Sequence, residues 1–270
     1  MTLELPPAPY LPEGNGWYTS TELARAGWYE DGQHGGVVSA LLAGEVERVP
    51  TLAPMQVSRF TVELFRRVPT VRLQVTTEIM REGKRVQLVA ASLSDGSLEL
   101  ARAVALRLRT TEVDLPDSAQ PAVAIPTPPD RLPPIDQSVF GVGRSGEIVF
   151  HRHGMEMKEA EGSYRELGPA AVWARLTKPV VDGETTTPLQ RAVLISDLGN
   201  GVGRVLHSKE WLFLNPDLTV NLYRYPRSDW IALRSNSLVS PIGRGLASSE
   251  LFDLEGPIGR ATQTLYVDHR

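Results

Sequence analysis

The chain has 270 residues, 41% of them hydrophobic and 22% charged, which excludes disordered, collagen-like and fibrous proteins. It contains no cysteine, so disulfide scaffolds, cysteine-ligated metals and thiol nucleophiles are excluded. The 28 Lys and Arg against 32 Asp and Glu give a net charge of -4, which argues against a nucleic-acid partner.

The first half predicts one helix followed by four strands. The apolar residues of HGGVVSALLAGEVERV, residues 34–49, recur at helical spacing. The runs that follow are rich in β-branched residues and are separated by the turn signals REGK and DGS. The predicted strands are 58–67, 70–80, 84–93 and 98–109.

A proline-rich segment then divides the chain. Residues 113–137 contain seven prolines, which prevent helix and remove the donors that a sheet needs. We predict an N-terminal domain at 1–112, a semi-rigid linker at 113–137 and a C-terminal domain at 138–270.

The second half predicts the same order of elements. Residues 146–157 and 168–179 have extended patterns. Thr187 and Pro188 then open a helix that runs through LQRAVLISDL to a stop at Gly199 or Gly201. Further strands are predicted near 218–225, 229–238, 244–251 and 258–268.

An internal repeat links the halves. TVELFR at 61–66 recurs as TVNLYR at 219–224, an offset of 219 - 61 = 158, and the same offset brings Arg102 onto Arg260. The second helix is apolar nearly all round and must therefore be enclosed by its sheet. We predict an α+β double hotdog: two tandem domains, each with a central helix wrapped by an antiparallel sheet.

Three polar positions in the second half are candidates for chemistry. Asp197 points from the helix toward the sheet, where a carboxylate needs hydrogen bonds or a ligand; alternatively it reaches water or caps the backbone. Gln263 shares a strand face with apolar residues, or else faces solvent. Asn215, before Pro216, is typical of a turn.

The segments HGGVVSALL, LISDL, FLNPDLTVNLYR and GRATQTLYV resemble the double-hotdog acyl-CoA thioesterases of the bacterial thioesterase II family. The resemblance covers nearly the whole chain. It implies that an Asp, a Thr or Ser and a Gln together hold the water that attacks the thioester. These roles fall on Asp197, Asn215 and Gln263. Asn215 departs from the family's hydroxyl residue, and Thr219 takes the role if the register differs.

The segment His34-Gly35-Gly36 resembles the HGG motif of single-hotdog thioesterases. The resemblance implies that backbone N–H groups at a helix N-terminus polarise the substrate carbonyl. The stretch VVSALLAG that follows supplies no acid, so the motif is half a site, or alternatively a glycine-rich helix entry. Expected substrate contacts are His34, Gly35, Gly36, Thr219 and Arg224, with Arg66, Arg67 and Arg227 as further candidates for the CoA phosphates.

Two other patterns do not support a site. Gly141 to Gly146 match G-x-G-x-x-G but precede a β-like segment, without the helix that a dinucleotide site requires. His151 and His153 share one face of a predicted strand, and without a third ligand we expect them to face solvent. No G-x-S-x-G elbow of an α/β-hydrolase occurs.

We expect hydrolysis of fatty acyl-CoA thioesters at one site per chain, carried by the C-terminal half, without a cofactor or metal. No run of about 20 apolar residues predicts a membrane span, and we expect a cytoplasmic homodimer that binds neither membrane nor nucleic acid. The alternative is a non-catalytic double hotdog that binds acyl-CoA or a fatty acyl group. An enoyl-CoA hydratase uses an Asp/His pair, and no His follows Asp197 before His207.

Overall fold

A single antiparallel sheet carries the fold. The structure, a computed structural model, describes residues 3–27, 31–119, 123–135 and 146–270. The first half contributes β1 (Tyr10–Gly14), β2 (Trp17–Ser20), β3 (Met55–Leu64), β4 (Arg72–Arg81), β5 (Val86–Ser94) and β6 (Glu99–Arg109). The second half contributes β7 (Met155–Glu161), β8 (Ala170–Leu176), β9 (Trp211–Leu214), β10 (Asp217–Leu222), β11 (Ile231–Ser240), β12 (Arg244–Asp253) and β13 (Gly256–His269). The strand order is β1-β2-β4-β5-β6-β3-β10-β13-β12-β11-β8-β7, with β9 paired to β13.

The helices are α1 (Gly35–Arg48), α2 (Phe150–His153), α3 (Pro188–Ser196) and α4 (Gly199–Val202). The α3 helix opens with a reciprocal capping box, in which Thr187 accepts the N–H of Gln190 while the Gln190 side chain accepts the N–H of Thr187. The helices α1 and α3 lie side by side, and Gln190 Nε2 donates to the Ala40 carbonyl at 3.1 Å.

The strand register repeats between the halves. Thr61 of β3 lies opposite Val104 of β6, and Thr219 of β10 lies opposite Thr262 of β13. Both members of the second pair are 158 residues beyond those of the first, since 104 + 158 = 262. The pairing of β3 with β10 merges the two halves edge to edge. The predicted double hotdog is therefore confirmed.

Each long helix is enclosed by its sheet, as its sequence requires. Leu41 and Leu42 of α1 and Leu189 and Leu194 of α3 are fully buried. Burial of one such side chain contributes about 1.5–3 kcal/mol. No helix in the described part of the chain is long and apolar enough to cross a membrane.

The segment predicted to be extended around 146–157 instead contains the short helix α2. Phe150 N–H donates to the Arg25 carbonyl at 2.8 Å, and Gly154 N–H closes the turn on the Phe150 carbonyl at 2.7 Å. A Cβ at Gly154 would lie 2.5 Å from the Phe150 ring, so glycine permits this packing. A contact with the first half thus overrides a local β pattern.

The second part of the proline-rich segment lies along the C-terminal half. Trp173 Nε1 donates to the Thr127 carbonyl at 2.7 Å, and Ile135 N–H donates to the Met157 carbonyl at 2.9 Å. The division at 113–137 stays a prediction. The glycine pattern at 141–146 lies outside the described residues except for Gly146.

Candidate active site

Asp197 is the centre of a buried polar cluster. It directly follows the last residue of α3 and is only 7% exposed. Its Oδ1 accepts hydrogen bonds from Asn215 Nδ2 at 2.8 Å and from Gln263 Nε2 at 3.1 Å. Two amide donors on one oxygen offset part of the desolvation cost of a buried carboxylate. Because both donors use Oδ1, the other carboxylate oxygen, Oδ2, faces the first half of the chain.

Gln263 holds Asp197 from the sheet. Its side chain lies on the inward face of β13 and is 2% exposed. Nε2 also donates to the Asp197 carbonyl at 3.1 Å, and Oε1 accepts the N–H of Asn200 at 2.9 Å. Both amide hydrogens are thereby used on Asp197. Gln263 therefore fixes the position of the Asp197 carboxylate.

Asn215 lies at the entry to β10, where the sequence predicted a turn. The Asn215 Oδ1 accepts a hydrogen bond from Asn200 Nδ2 at 3.4 Å. This bond directs the Asn215 Nδ2 toward Asp197. The side chain of Asn200 and its backbone N–H therefore contact both amides that hold the carboxylate. The sequence does not single out Asn200, because a polar residue between two glycines is typical of an ordinary helix end.

His34 brings the first half into the cluster. It caps the N-terminus of α1, where Nδ1 accepts the N–H of Gly36 at 3.0 Å. The same Nδ1 lies 3.2 Å from Asp197 Oδ2. An unprotonated ring nitrogen and a carboxylate oxygen repel each other at this distance, whereas one shared proton makes the contact a hydrogen bond. Nδ1 has a single in-plane site, so a proton held there for Asp197 takes the place of the Gly36 hydrogen bond, and the two contacts are alternatives.

The electrostatics of His34 favour its neutral form. Burial lowers the pKa of His34, while the charge of Asp197 acts in the opposite direction. The ring of Phe150 lies 5.9 Å away, between centroids, and helps to enclose it. In its neutral form His34 donates to Asp197 Oδ2 only when its proton is on Nδ1.

An acidic residue of the other half lies beside the HGG segment. Asp197 lies at the N-terminal turn of α1, so the expectation of half a site is corrected. The close approach requires both glycines. A Cβ at Gly35 would lie 3.0 Å from Asp197 Oδ2, and one at Gly36 would lie 2.6 Å from the Leu194 carbonyl oxygen. The carboxylate consequently faces the positive end of α1.

A cavity of about 590 Å³ opens onto this cluster. Its described lining includes His34 and Gly35, residues 64–68, Asp197 with Asn200, and residues 213–216. The volume is that of a small-molecule site, and polar groups converge on one end of it. Both halves form the site, so the expectation that the C-terminal half carries it alone is incomplete.

Two expected substrate contacts lie elsewhere among the described residues. Thr219 Oγ1 lies 3.1 Å from Thr61 Oγ1 at the junction of the halves, so it does not take the role of Asn215. Arg224 makes two hydrogen bonds to Asp253, at 2.6 and 2.5 Å, and is absent from the described cavity lining. Sequence alone does not reveal which arginine a carboxylate has neutralised.

The expectation that His151 faces solvent is wrong. His151 lies on α2, is 6% exposed, and burial lowers its pKa to about 3, with the neighbouring His34, Arg152 and His153 acting in the same direction. His153 is half-buried, and its Nδ1 accepts the N–H of Val149 at 3.1 Å. The described residues contain no group of three possible metal ligands.

Comparison with solved structures identifies the architecture. A hot dog fold protein of unknown function from Alicyclobacillus acidocaldarius has a TM-score of 0.74 and 13% identity, covering 97% of each chain. A protein from Thermobifida fusca YX described as a thioesterase II has a TM-score of 0.73 and 16% identity, over 97% of this chain and 96% of that one. The acyl-CoA thioesterase II TesB2 from Mycobacterium marinum has a TM-score of 0.67 and 15% identity, over 97% and 96%. These likenesses show the fold.

Two family models also match the sequence. The acyl-CoA thioesterase N-terminal domain matches residues 24–108, and the acyl-CoA thioesterase C-terminal domain matches residues 116–267. No curated protein matches the sequence. Because the C-terminal match alone spans more than half of the chain, the protein belongs to the acyl-CoA thioesterase family built from these two domains.

Proposed function

We propose that this protein hydrolyses fatty acyl-CoA thioesters with a water molecule activated by Asp197. The observation that carries the proposal is the position of Asp197 Oδ2, which lies 3.2 Å from His34 Nδ1 at the cavity and faces the first turn of α1. A general base, a proton-sharing partner and a helix N-terminus therefore meet at one point.

The reaction uses these groups in two steps. The water oxygen bonds to the thioester carbonyl carbon while one water proton passes to Asp197, and the carbonyl oxygen becomes an oxyanion. The oxyanion then collapses, the carbon–sulfur bond breaks, and the departing CoA thiolate takes the proton from the Asp197–His34 pair. The products are the carboxylic acid and CoA.

The first turn of α1 stabilises the oxyanion. The N–H of Gly35 has no partner within its own helix, because the first amides of a helix lack one, and the helix dipole is positive there. Removing one such donor from an oxyanion hole typically lowers kcat about 10²- to 10³-fold. Val38, Leu64 and Val68 provide apolar lining for the acyl chain.

The test is turnover of saturated acyl-CoAs of increasing chain length, followed by release of free thiol. Activity that saturates with substrate and depends on Asp197 is the expected result. Absence of thiol release from every chain length, with a folded protein, would refute the proposal.

Two other activities are distinguished by the same samples. A non-catalytic acyl-CoA binder is favoured by Asn215, whose amide already donates to Asp197; it would bind acyl-CoA by calorimetry without releasing thiol. A hydratase gains support from the His34–Asp197 contact, which supplies the Asp/His pair across the halves. With a 2-enoyl-CoA it would abolish the enoyl absorbance without thiol release.

We also propose the homodimer expected from the sequence. Light scattering at micromolar protein should give twice the chain mass, 2 × 29.7 = 59.4 kDa. A mass of 29.7 kDa would contradict it.

A further inference from the structure

The mouth of the cavity carries an arginine that no described acidic residue neutralises. Arg66 follows the end of β3, is exposed and lines the cavity. Its neighbour Arg67 also lines the cavity but forms an ion pair with Asp31 at 3.3 Å. Within the described part of the chain, the side chain of Arg66 makes no ion pair.

The repeat shows why Arg66 differs from its counterpart. Arg224 occupies the same repeat position, since 66 + 158 = 224, and it is held by Asp253, a carboxylate with 0% exposure. The first-half counterpart of Asp253 is Asp95, since 95 + 158 = 253. Asp95 Oδ1 instead accepts hydrogen bonds from Ser97 N–H at 2.9 Å and Leu98 N–H at 2.9 Å within its own turn.

Because the two repeats differ in this way, only Arg66 of the pair keeps an unneutralised charge, and it lies where the end of β3 borders the cavity. The chain as a whole is negative, so an anionic ligand needs such a local positive charge. In CoA the phosphates are separated from the thioester by the pantetheine arm. A phosphate contact therefore belongs at the mouth of the cavity and not beside Asp197.

We propose that Arg66 binds the phosphate groups of the CoA portion of the substrate and so selects CoA thioesters over thioesters that lack phosphate. This inference rests on the proposed function and names the residue that confers its specificity. Guanidinium binds phosphate through charge-assisted hydrogen bonds, which are stronger than neutral ones. An exposed contact of this kind is screened by salt.

The test compares Arg66→Gln with a matched control, Arg260→Gln. Arg260 lies on β13, is 77% exposed in its side chain and is absent from the described cavity lining. Two substrates with the same acyl group are used, an acyl-CoA and the corresponding acyl-pantetheine, which has no phosphate. Binding of the product CoA is measured separately by calorimetry.

We expect Arg66→Gln to raise KM for the acyl-CoA about three- to tenfold, with kcat within twofold and no change for the acyl-pantetheine. The Kd of CoA should rise by a similar factor, and less so in high salt. Arg260→Gln should change neither. Equal CoA affinity in both variants, or an equal loss with both substrates, would overturn the inference. If the wild type releases no thiol, the proposed function fails while CoA binding still tests Arg66.

Discussion

Thr61 and Thr219, which are 158 residues apart and equivalent in the two repeats, lie directly opposite each other across β3 and β10, with their hydroxyl oxygens 3.1 Å apart. A residue that pairs with its own repeat counterpart marks a local two-fold axis. The flanking pairs obey it, since Val62 lies opposite Leu218 and Phe60 opposite Val220. The repeat therefore predicts that contacts between the halves occur in related pairs.

The two helices meet at two such related junctions. At one, the cap of α1, His34, contacts Asp197 at the end of α3. At the other, the cap of α3, Thr187, donates to Glu47 in the last turn of α1, and Tyr225 also bonds Glu47. Only the first junction lies among the described residues that line the cavity. The second is a polar contact without an opening onto the cavity.

The first prediction compares one substitution at each junction. Asp197→Asn keeps the shape and removes the base, so kcat/KM should fall at least about 100-fold, the usual scale for general-base catalysis. Glu47→Gln is the matched control and should leave kcat/KM within about twofold. Burial disfavours the charged form of Glu47 and raises its pKa, so a glutamine at this position, which carries no charge, avoids that desolvation cost. Hydrolysis by Asp197→Asn within about threefold of wild type would exclude Asp197 as the base.

The second prediction concerns Gln263 as a positioning residue. Gln263→Leu removes two donors to Asp197, so kcat should fall roughly tenfold to a hundredfold while the Kd of CoA stays unchanged. Gln87 is the control, since it is equally buried and bonds the Pro50 carbonyl and Arg107. Gln87→Leu should lose about 1–3 kcal/mol of stability with kcat within twofold. Equal kcat losses in the two variants would reduce Gln263 to a structural role.

The third prediction tests the close approach of the two helices. The Cβ of Gly36→Ala would lie 2.6 Å from the Leu194 carbonyl oxygen and 3.0 Å from Asp197 Cβ, so α1 must move away from the base. We expect a lower kcat and a lower melting temperature. At Gly44, a Cβ meets only the side chain of Gln190 and does not approach Asp197. Gly44→Ala should therefore lower kcat much less, and the opposite order would contradict this account.

The fourth prediction is a pH dependence of stability. In the folded chain burial lowers the pKa of His151 to about 3, whereas in the unfolded chain it titrates near 6.5. As the pH falls below 6.5, the unfolded state takes up a proton that the folded state does not, so stability decreases. Between pH 7 and pH 5 this group should cost about 2 kcal/mol.

Urea unfolding at the two pH values checks this prediction. His151→Gln should be less sensitive to acid by about that amount. The same loss of stability in wild type and His151→Gln would contradict the assignment.

Local sequence was sufficient for the framework. The helical spacing in 34–49 and the Thr187-Pro188 start of α3 predicted both long helices, and the β-branched runs with their turn signals predicted nine of the strands within a few residues. Each of these signals depends on residues close together in the sequence. Resemblance then selected Asp197, Asn215 and Gln263, which the structure brings together.

Only the tertiary structure decided how the site is assembled. His34 and Asp197 are 163 residues apart, since 197 - 34 = 163, and no periodicity links the start of one helix to the end of another. The two-fold pairing of the sheets creates that contact. The tertiary structure also determines that Arg224, and not Arg66, is neutralised. Asp253 reaches Arg224, whereas Asp95 bonds the backbone of its own turn. The helix α2 formed where its backbone meets Arg25, a contact that its own residues do not encode.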